Sequence, residues 1–414
     1  MPASHARQCV AAGCFTEGAA IRLALPAALF VGMSGSVSPR QALFRHLIEL
    51  RSDCHENINA LPALVHAAIE RSKLHGINWW IMEQAGDTPT WQCTANFLRL
   101  ALKKKAAKVA ILSVASIGRG SSDCSPKDAP KDLVSRLASV DSSDVFPAVD
   151  CHLPFRLLLS YIHPSSTSLP PLLTSLQRQD RLAFAPHLAS LLPRPELNQI
   201  IAVRQQQGSD GSEDTTRCYI LSVGDANRHH EVLIHAAKKM AGEVHLRVIS
   251  GLWDASKADD RSKAVRTARA DCLASSYCQW DDKPWARWRV LSELQRPDVC
   301  AVAVPLTDHE PVKLGIGLTS VIEAVTRGVP VLTLDYDHFA HYLRRGCNAH
   351  LVPRPGVGHA VGAVMSGYAK GLADLVRRRA AYQECAEQHA AANFTVERVG
   401  DVLNSTLRRL ERRI

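Results

Sequence analysis

The absences in this chain narrow it first. No run approaches the ~20 apolar residues that cross a bilayer, and no internal repeat interrupts its 414 residues. The 12 cysteines form no CxxC pair; the closest pairs, Cys9 with Cys14 and Cys272 with Cys278, have spacings unsuited to a zinc site. The simplest expectation is reduced thiols, used as small apolar residues in a cytosolic protein. A composition of 46% hydrophobic and 21% charged residues excludes a disordered chain and predicts a soluble, globular one, long enough for two cores. Net charge is +9, with arginines crowded at 377–379 and at Arg408, Arg409, Arg412 and Arg413. That balance suits anionic partners (sugar nucleotides, nucleic acid, an acidic membrane surface) or a solvated basic face, and charge alone does not choose.

Residues 1–18 show no period and read as a disordered lead-in. The apolar stretch 20–32 is like a signal-peptide core, but Glu17 stands where positive charge is wanted, so a strand is expected. A glycine loop follows through Gly32 and Gly35, and Ser38-Pro39 with Leu43, Leu47 and Leu50 predicts a helix. Strand, glycine loop and helix would open a doubly wound sheet. A helix over 61–74, a strand over 76–81, a helix over 94–106, a buried strand over 109–114 and a loop over 118–130 come next. From 131 to 200 the pattern blurs, and 205–216 reads as a linker.

Beyond it the pattern sharpens. Strand 218–223 leads into Gly224 and Arg228, a helix through Val232, Leu233, Ala236 and Met240, and strand 244–249. Trp280, Trp285 and Trp288 are expected to pack core or edge, and a strand runs over 299–304. The stretch 313–353 organises the whole: a glycine loop with Gly315 and Gly317, a short helix, strand 331–335, a second helix and a return strand. Ser320 with Glu323 three residues on forms a capping-box pattern, and Gly328 with Pro330 marks the helix end. A helix start behind glycines seats a phosphate. The last helix carries Val396, Val399, Leu403, Leu407 and Leu410 as one apolar stripe.

Gly317, Thr319, Ser320, Glu323, Ala324, Gly328, Pro330, Val331, Gly346 and Leu351-Val352-Pro353, with Gly224, Arg228 and Leu233-Ile234-His235-Ala236 before them, resemble the donor-binding core of GT-B glycosyltransferases. The likeness is greatest to the GT4-like group that builds polysaccharides, and it covers residues 217–355 best. The resemblance implies an α/β fold of two Rossmann-like domains facing a cleft. Their bounds would be 19–204 and 217–390, with 391–414 a C-terminal helix crossing back to the first domain. It implies transfer of a hexose from a nucleotide-sugar donor to a saccharide or lipid-linked acceptor, with retained stereochemistry. Donor binding would fall to Gly224, Gly317, Leu318, Thr319, Ser320 and Glu323, the last holding the ribose hydroxyls. Arg228 and Lys313 would neutralise the leaving diphosphate, and Gly32 and Gly35 would face the cleft.

No cofactor or metal is expected, and no nucleic acid; the protein would be cytoplasmic, with peripheral contact at an anionic inner membrane face. The histidines at 229, 230, 338 and 341 offer no third ligand, and His338 with His341 reads as an exposed pair. Were the reaction inverting, Glu83, Asp87 and Asp150 would compete as base. The sequence departs from the family at Gly315, eight positions before Glu323, where many members carry a second glutamate. That departure leaves room for a decayed nucleotide-sugar binder, and a sugar-nucleotide epimerase relative shares the same fold.

Overall fold

A computed structural model of the chain describes residues 25–33, 44–50, 61–77, 79–84, 108–113, 157–160, 177–178, 182–186, 190–209, 217–224, 228–250, 260–282, 285–306, 317–354 and 361–412. The chain divides into two compact units: Met1–Leu159 with Ser175–Ala183 and Val399–Ile414, and Ser160–Thr174 with Phe184–Arg398.

In the first unit the elements run β1 (Leu25–Met33), β2 (Phe44–Leu50), α1 (Leu61–His75), β3 (Trp79–Gln84), β4 (Lys108–Ser113) and β5 (Leu157–Ser160), before β6 (Leu182–Phe184). They form a six-stranded sheet in the order β2-β1-β3-β4-β5-β6. The helix expected after Ser38 is a strand: Phe44–Leu50 pairs in parallel with β1, from Leu25↔Phe44 to Met33↔Leu50. Leu43, Leu47 and Leu50 mimic a helical stripe, but seven residues are too few for periodicity to decide, and sheet pairing takes up the backbone. Gly32 consequently lies inside β1, opposite Glu49, rather than in a loop, and Gly35 is outside the described residues. Glu83 is also in a strand, β3. Gly76 ends α1 in the left-handed region at φ 62°, so β3 begins three residues later than expected. Trp80 is fully buried, its indole N–H donating to Ser72 Oγ at 2.8 Å.

The second unit begins with α2 (Arg194–Ser209). Residues 205–209 of the expected linker therefore belong to a helix, since glutamine is a good helix former and buried Arg204 anchors the preceding turn; residues 210–216 are not described. Then follow β7 (Cys218–Val223), α3 (His230–Lys238), β8 (Val244–Ile249), α4 (Asp260–Leu273), β9 (Cys278–Asp281), α5 (Arg287–Glu293), β10 (Val299–Val304), α6 (Leu318–Val325), β11 (Val331–Leu334) and β12 (Ala349–Val352). Helices α7 (Val361–Arg377) and α8 (Arg379–Asn393) follow, and then α9 (Val396–Glu411), whose residues from Val399 on are grouped with the first unit. The expected second helix of 313–353 is a single 3-10 turn, Asp337–Phe339.

The second sheet is ordered β12-β11-β10-β7-β8-β9, and every neighbouring pair is parallel. Its central strands read as continuous apolar runs because helices cover both faces: all six residues of β10 are buried. In α9, Val396, Val399, Leu403 and Leu407 are buried as the stripe predicts.

Among the described residues three cysteine pairs are disulfide-bonded: Cys218–Cys300, Cys272–Cys278 and Cys347–Cys385. This corrects the expectation of reduced thiols. Cys218 opens β7 and Cys300 is the second residue of the adjacent β10, with Cα atoms 5.4 Å apart, within the range a disulfide spans. Disulfides persist in oxidising compartments, so the cysteines give no support to a cytosolic setting.

Candidate functional site

Strand order in the second sheet reverses between β7 and β10. In open α/β sheets such a reversal opens a crevice at the carboxyl ends of the strands, where ligands bind. Here the loops leaving those two strands are tied together, because His229 N–H donates to Pro305 O at 2.7 Å.

Gly224 follows β7 at φ +116°, and a Cβ there would stand 3.2 Å from Arg228 Nη2 and 3.3 Å from its Nε. The guanidinium therefore lies across the glycine, which leaves it room. Arg228 is buried; its Nε donates to Val223 O and its Nη2 to Ser320 Oγ, both at 3.4 Å. Ser320 Oγ donates to the same Val223 carbonyl at 3.3 Å. A cation and a helix start thus meet at the carboxyl end of β7.

That helix is α6. Gly317 begins it as N-cap at φ 81°, and a Cβ at Gly317 would meet Val304 Cγ1 at 2.8 Å and Phe339 Cζ at 3.3 Å. Only a glycine fits so close to the end of β10. The first bond into the helix runs from Val321 N–H to Gly317 O at 3.1 Å. The N–H groups of Leu318, Thr319 and Ser320 precede it, at the positive end of the helix dipole. Leu318 is buried and Thr319 exposed. The capping box is corrected by this geometry: Ser320 sits inside the first turn rather than at the cap, and Gly317 makes no side-chain cap bond.

Glu323 lies one turn further along α6. It is 6% exposed, and its Oε1 forms an ion pair with Arg287 Nε at 2.9 Å. Burial pushes its carboxyl up from the ordinary glutamate range, while Arg287 and Arg327 pull the other way. Beyond α6, Arg327 donates to Ser190 O and to Thr326 Oγ1. Arg204 donates to the carbonyls of Arg327 and Leu294. Burial lowers both guanidinium groups to about 10. Arg287 was not legible as part of the site, since nothing in its run of tryptophan and arginine marks a partner on α6.

Further side chains brace the crevice. Tyr368 of α7 is fully buried; its hydroxyl donates to Val304 O at 2.9 Å and accepts from Leu306 N–H at 3.1 Å. Thr333 Oγ1 donates to the same carbonyl. His230 lies within 3.0 Å of Gly224 O and 3.3 Å of Ser222 Oγ, with its ring edge-on to buried Trp280. His229 Nδ1 meets Glu231 Oε1 at 2.9 Å. His338 is buried beside Tyr336 and Phe339, not exposed as expected, while His341 is exposed. Trp288 is exposed too, and Trp285 lies between the guanidinium groups of Arg247 and Arg289.

Of the expected site residues, Gly224, Arg228, Gly317 and Ser320 converge; Leu318 and Thr319 belong to the same helix start, and Glu323 lies one turn on. Lys313, Gly315, Asp87 and Asp150 are outside the described residues. Among the described residues no cluster of three or more His, Cys, Asp or Glu could hold a metal ion, and no helix is long and apolar enough to cross a membrane.

No family model matches the chain, and no curated protein matches it in sequence. Solved structures do match in fold. Anabaena HepE in complex with UDP-glucose is similar at a TM-score of 0.52 and 14% identity, covering 92% of this chain and 99% of that one. A glycosyltransferase from Rickettsia africae ESF-5 is similar at 0.51 and 12%, covering 93% and 97%. At such identities the likeness speaks for the fold, which is the α/β fold of GT-B glycosyltransferases.

Proposed function

We propose that this protein is a glycosyltransferase that moves a sugar from a nucleotide-sugar donor to a saccharide or lipid-linked acceptor, in polysaccharide or glycoconjugate synthesis. The observation that carries the reading is the meeting of Arg228, Ser320, Gly224 and the start of α6 at the switch point of the second sheet.

Sugar transfer requires that negative charge on the departing diphosphate be stabilised. Fixed dipoles and a cation, held in place before the reaction, supply this without a metal. In this reading the N–H groups of Leu318, Thr319 and Ser320 grip one phosphate, and Arg228 takes the other in a charge-assisted pair. Lys313 would add a second cation, and Glu323 would accept from the ribose hydroxyls. A uridine diphosphate sugar is the first donor to try, because HepE is described with UDP-glucose. No cofactor is needed; retained stereochemistry and a hexosyl donor follow from the GT4-like pattern. A lipid-linked acceptor and the net charge of +9 would favour work beside an anionic membrane surface.

A second reading keeps the site and removes the turnover. Gly315, where many relatives carry glutamate, favours a nucleotide-sugar binder with no transfer. The test is incubation with labelled UDP-glucose and a panel of saccharide and lipid-linked acceptors. Acceptor-dependent release of UDP with label in the acceptor supports the transferase. Saturable binding with no turnover selects the binder, and free sugar or an epimer without acceptor selects an epimerase relative.

A further inference from the structure

The surroundings of Glu323 are built to a pattern. Arg287, whose Nε lies 2.9 Å from Glu323 Oε1, donates through Nη2 to Ser190 Oγ at 2.6 Å. Ser190 is 0% exposed, and its carbonyl accepts from Arg327 Nη1. One buried serine therefore fastens both guanidinium groups that flank the carboxylate. We propose that this Ser190–Arg287 latch positions the Glu323 carboxylate for the nucleotide, so that Arg287 sets how strongly the protein prefers a ribonucleotide over its dideoxy counterpart. The inference rests on the reading of Glu323 as the ribose contact.

An ionised carboxylate accepts from two ribose hydroxyls, and bonds to a charged acceptor are about twice as strong as neutral ones. Burial works against that ionised form at Glu323, and neighbouring cations restore it. The groups that face the carboxylate are Arg287 from α5 and Arg327 just past the end of α6. Behind Arg327 stand Arg204 and Glu196 of α2, and Glu387 of α8 approaches Arg204 at 3.8 Å. Arg204 and Arg327 are held by backbone carbonyls deep in the unit. Arg287 differs: its side chain is 38% exposed, so it can be replaced at the edge of the network rather than at its centre. It touches no reacting atom in this account and is a positioning residue.

The experiment is calorimetric titration of the full chain with UDP and with 2′,3′-dideoxy-UDP, at pH 6 and pH 8. Wild type is expected to favour UDP by about ten-fold or more, the size of a bond to a charged group. Arg287→Ala should erase most of that preference at pH 6 and recover part of it at pH 8, where the less supported carboxyl ionises. Arg287→Lys should keep part of the preference at both pH values, and Ser190→Ala should fall between. Glu323→Gln should lose the preference at both. If Glu323→Gln loses it while Arg287→Ala and Ser190→Ala keep the wild-type ratio at both pH values, the latch is refuted and the ribose contact stands. A wild type without preference, or a Glu323→Gln variant that retains it, overturns the reading beneath; a wild type that ignores UDP is titrated with GDP, ADP and their dideoxy forms, and binding of none overturns the same reading. Melting temperatures accompany each titration; should Arg287→Ala not fold, Arg287→Lys and Ser190→Ala decide the matter.

Discussion

The two ends of α6 handle charge in opposite ways. At its start, Arg228 and Ser320 share long contacts of 3.3–3.4 Å around a single carbonyl, beside helix N–H groups that precede the first intrahelical bond. At its far end, Arg327 and Arg204 are buried and donate to backbone carbonyls, Arg204 approaches Glu387, and Glu323 pairs with Arg287, which Ser190 fastens to the same network. On the proposed reading an eight-residue helix thus has a binding end and an anchored end. In the proposed reading Arg228 meets a ligand, whereas the charge at the far end serves as scaffold, and breaking one partner of a buried pair is costly.

That contrast can be broken from either side. The largest effect is expected at the anchored end. Arg327→Ala leaves the Ser190 carbonyl without its buried donor and removes a cation whose field supports Glu323, and should lower unfolding stability by about 3–5 kcal/mol in denaturant titrations. At the binding end the sign of the experiment changes. Arg228→Ala should cut turnover about 10²-fold and leave the melting temperature nearly unaltered. An equal fall in stability would make Arg228 scaffold too. Gly317→Ala puts a Cβ 2.8 Å from Val304 Cγ1 at a positive φ, and should cost about 1–3 kcal/mol while weakening nucleotide binding. It is the one change expected to register on both scales.

The smallest effect is a pH dependence. Burial lifts the Glu323 carboxyl in the folded protein above its unfolded value, so its ionisation costs stability above the unfolded pKa. That cost is relieved as pH falls toward the folded pKa. Measured against Glu323→Gln, wild type should therefore gain relative stability between pH 7 and pH 4.5. A relative loss would mean that the arginines outweigh burial.

Much of the second unit was legible. The bounds of β7, β8 and β10 follow from apolar runs closed by glycine, proline or polar residues, the signature of strands covered on both faces. The cradle was legible too, because glycine at a helix start and arginine after a strand are local features. Contacts made across the sequence were not. Nothing links Arg287 with Glu323, or Cys218 with Cys300, before β7 and β10 lie side by side. The Ser320–Glu323 spacing fits a capping box, yet Gly317 starts the helix three residues earlier and sends both side chains to other partners. At Phe44–Leu50, a short apolar run that suits either element was settled by pairing with β1, which local pattern does not contain.

The central claim is that the start of α6 seats a nucleoside diphosphate with Arg228. Thermal shift of the purified chain against UDP, GDP, ADP, CMP and their common sugars tests it most directly. A ligand at 100 times its Kd adds about 2.7 kcal/mol. One diphosphate should raise the melting temperature of wild type, and Arg228→Ala, equally folded, should lose the rise. A folded wild type that responds to none of them, or an Arg228→Ala variant that responds in full, would contradict it.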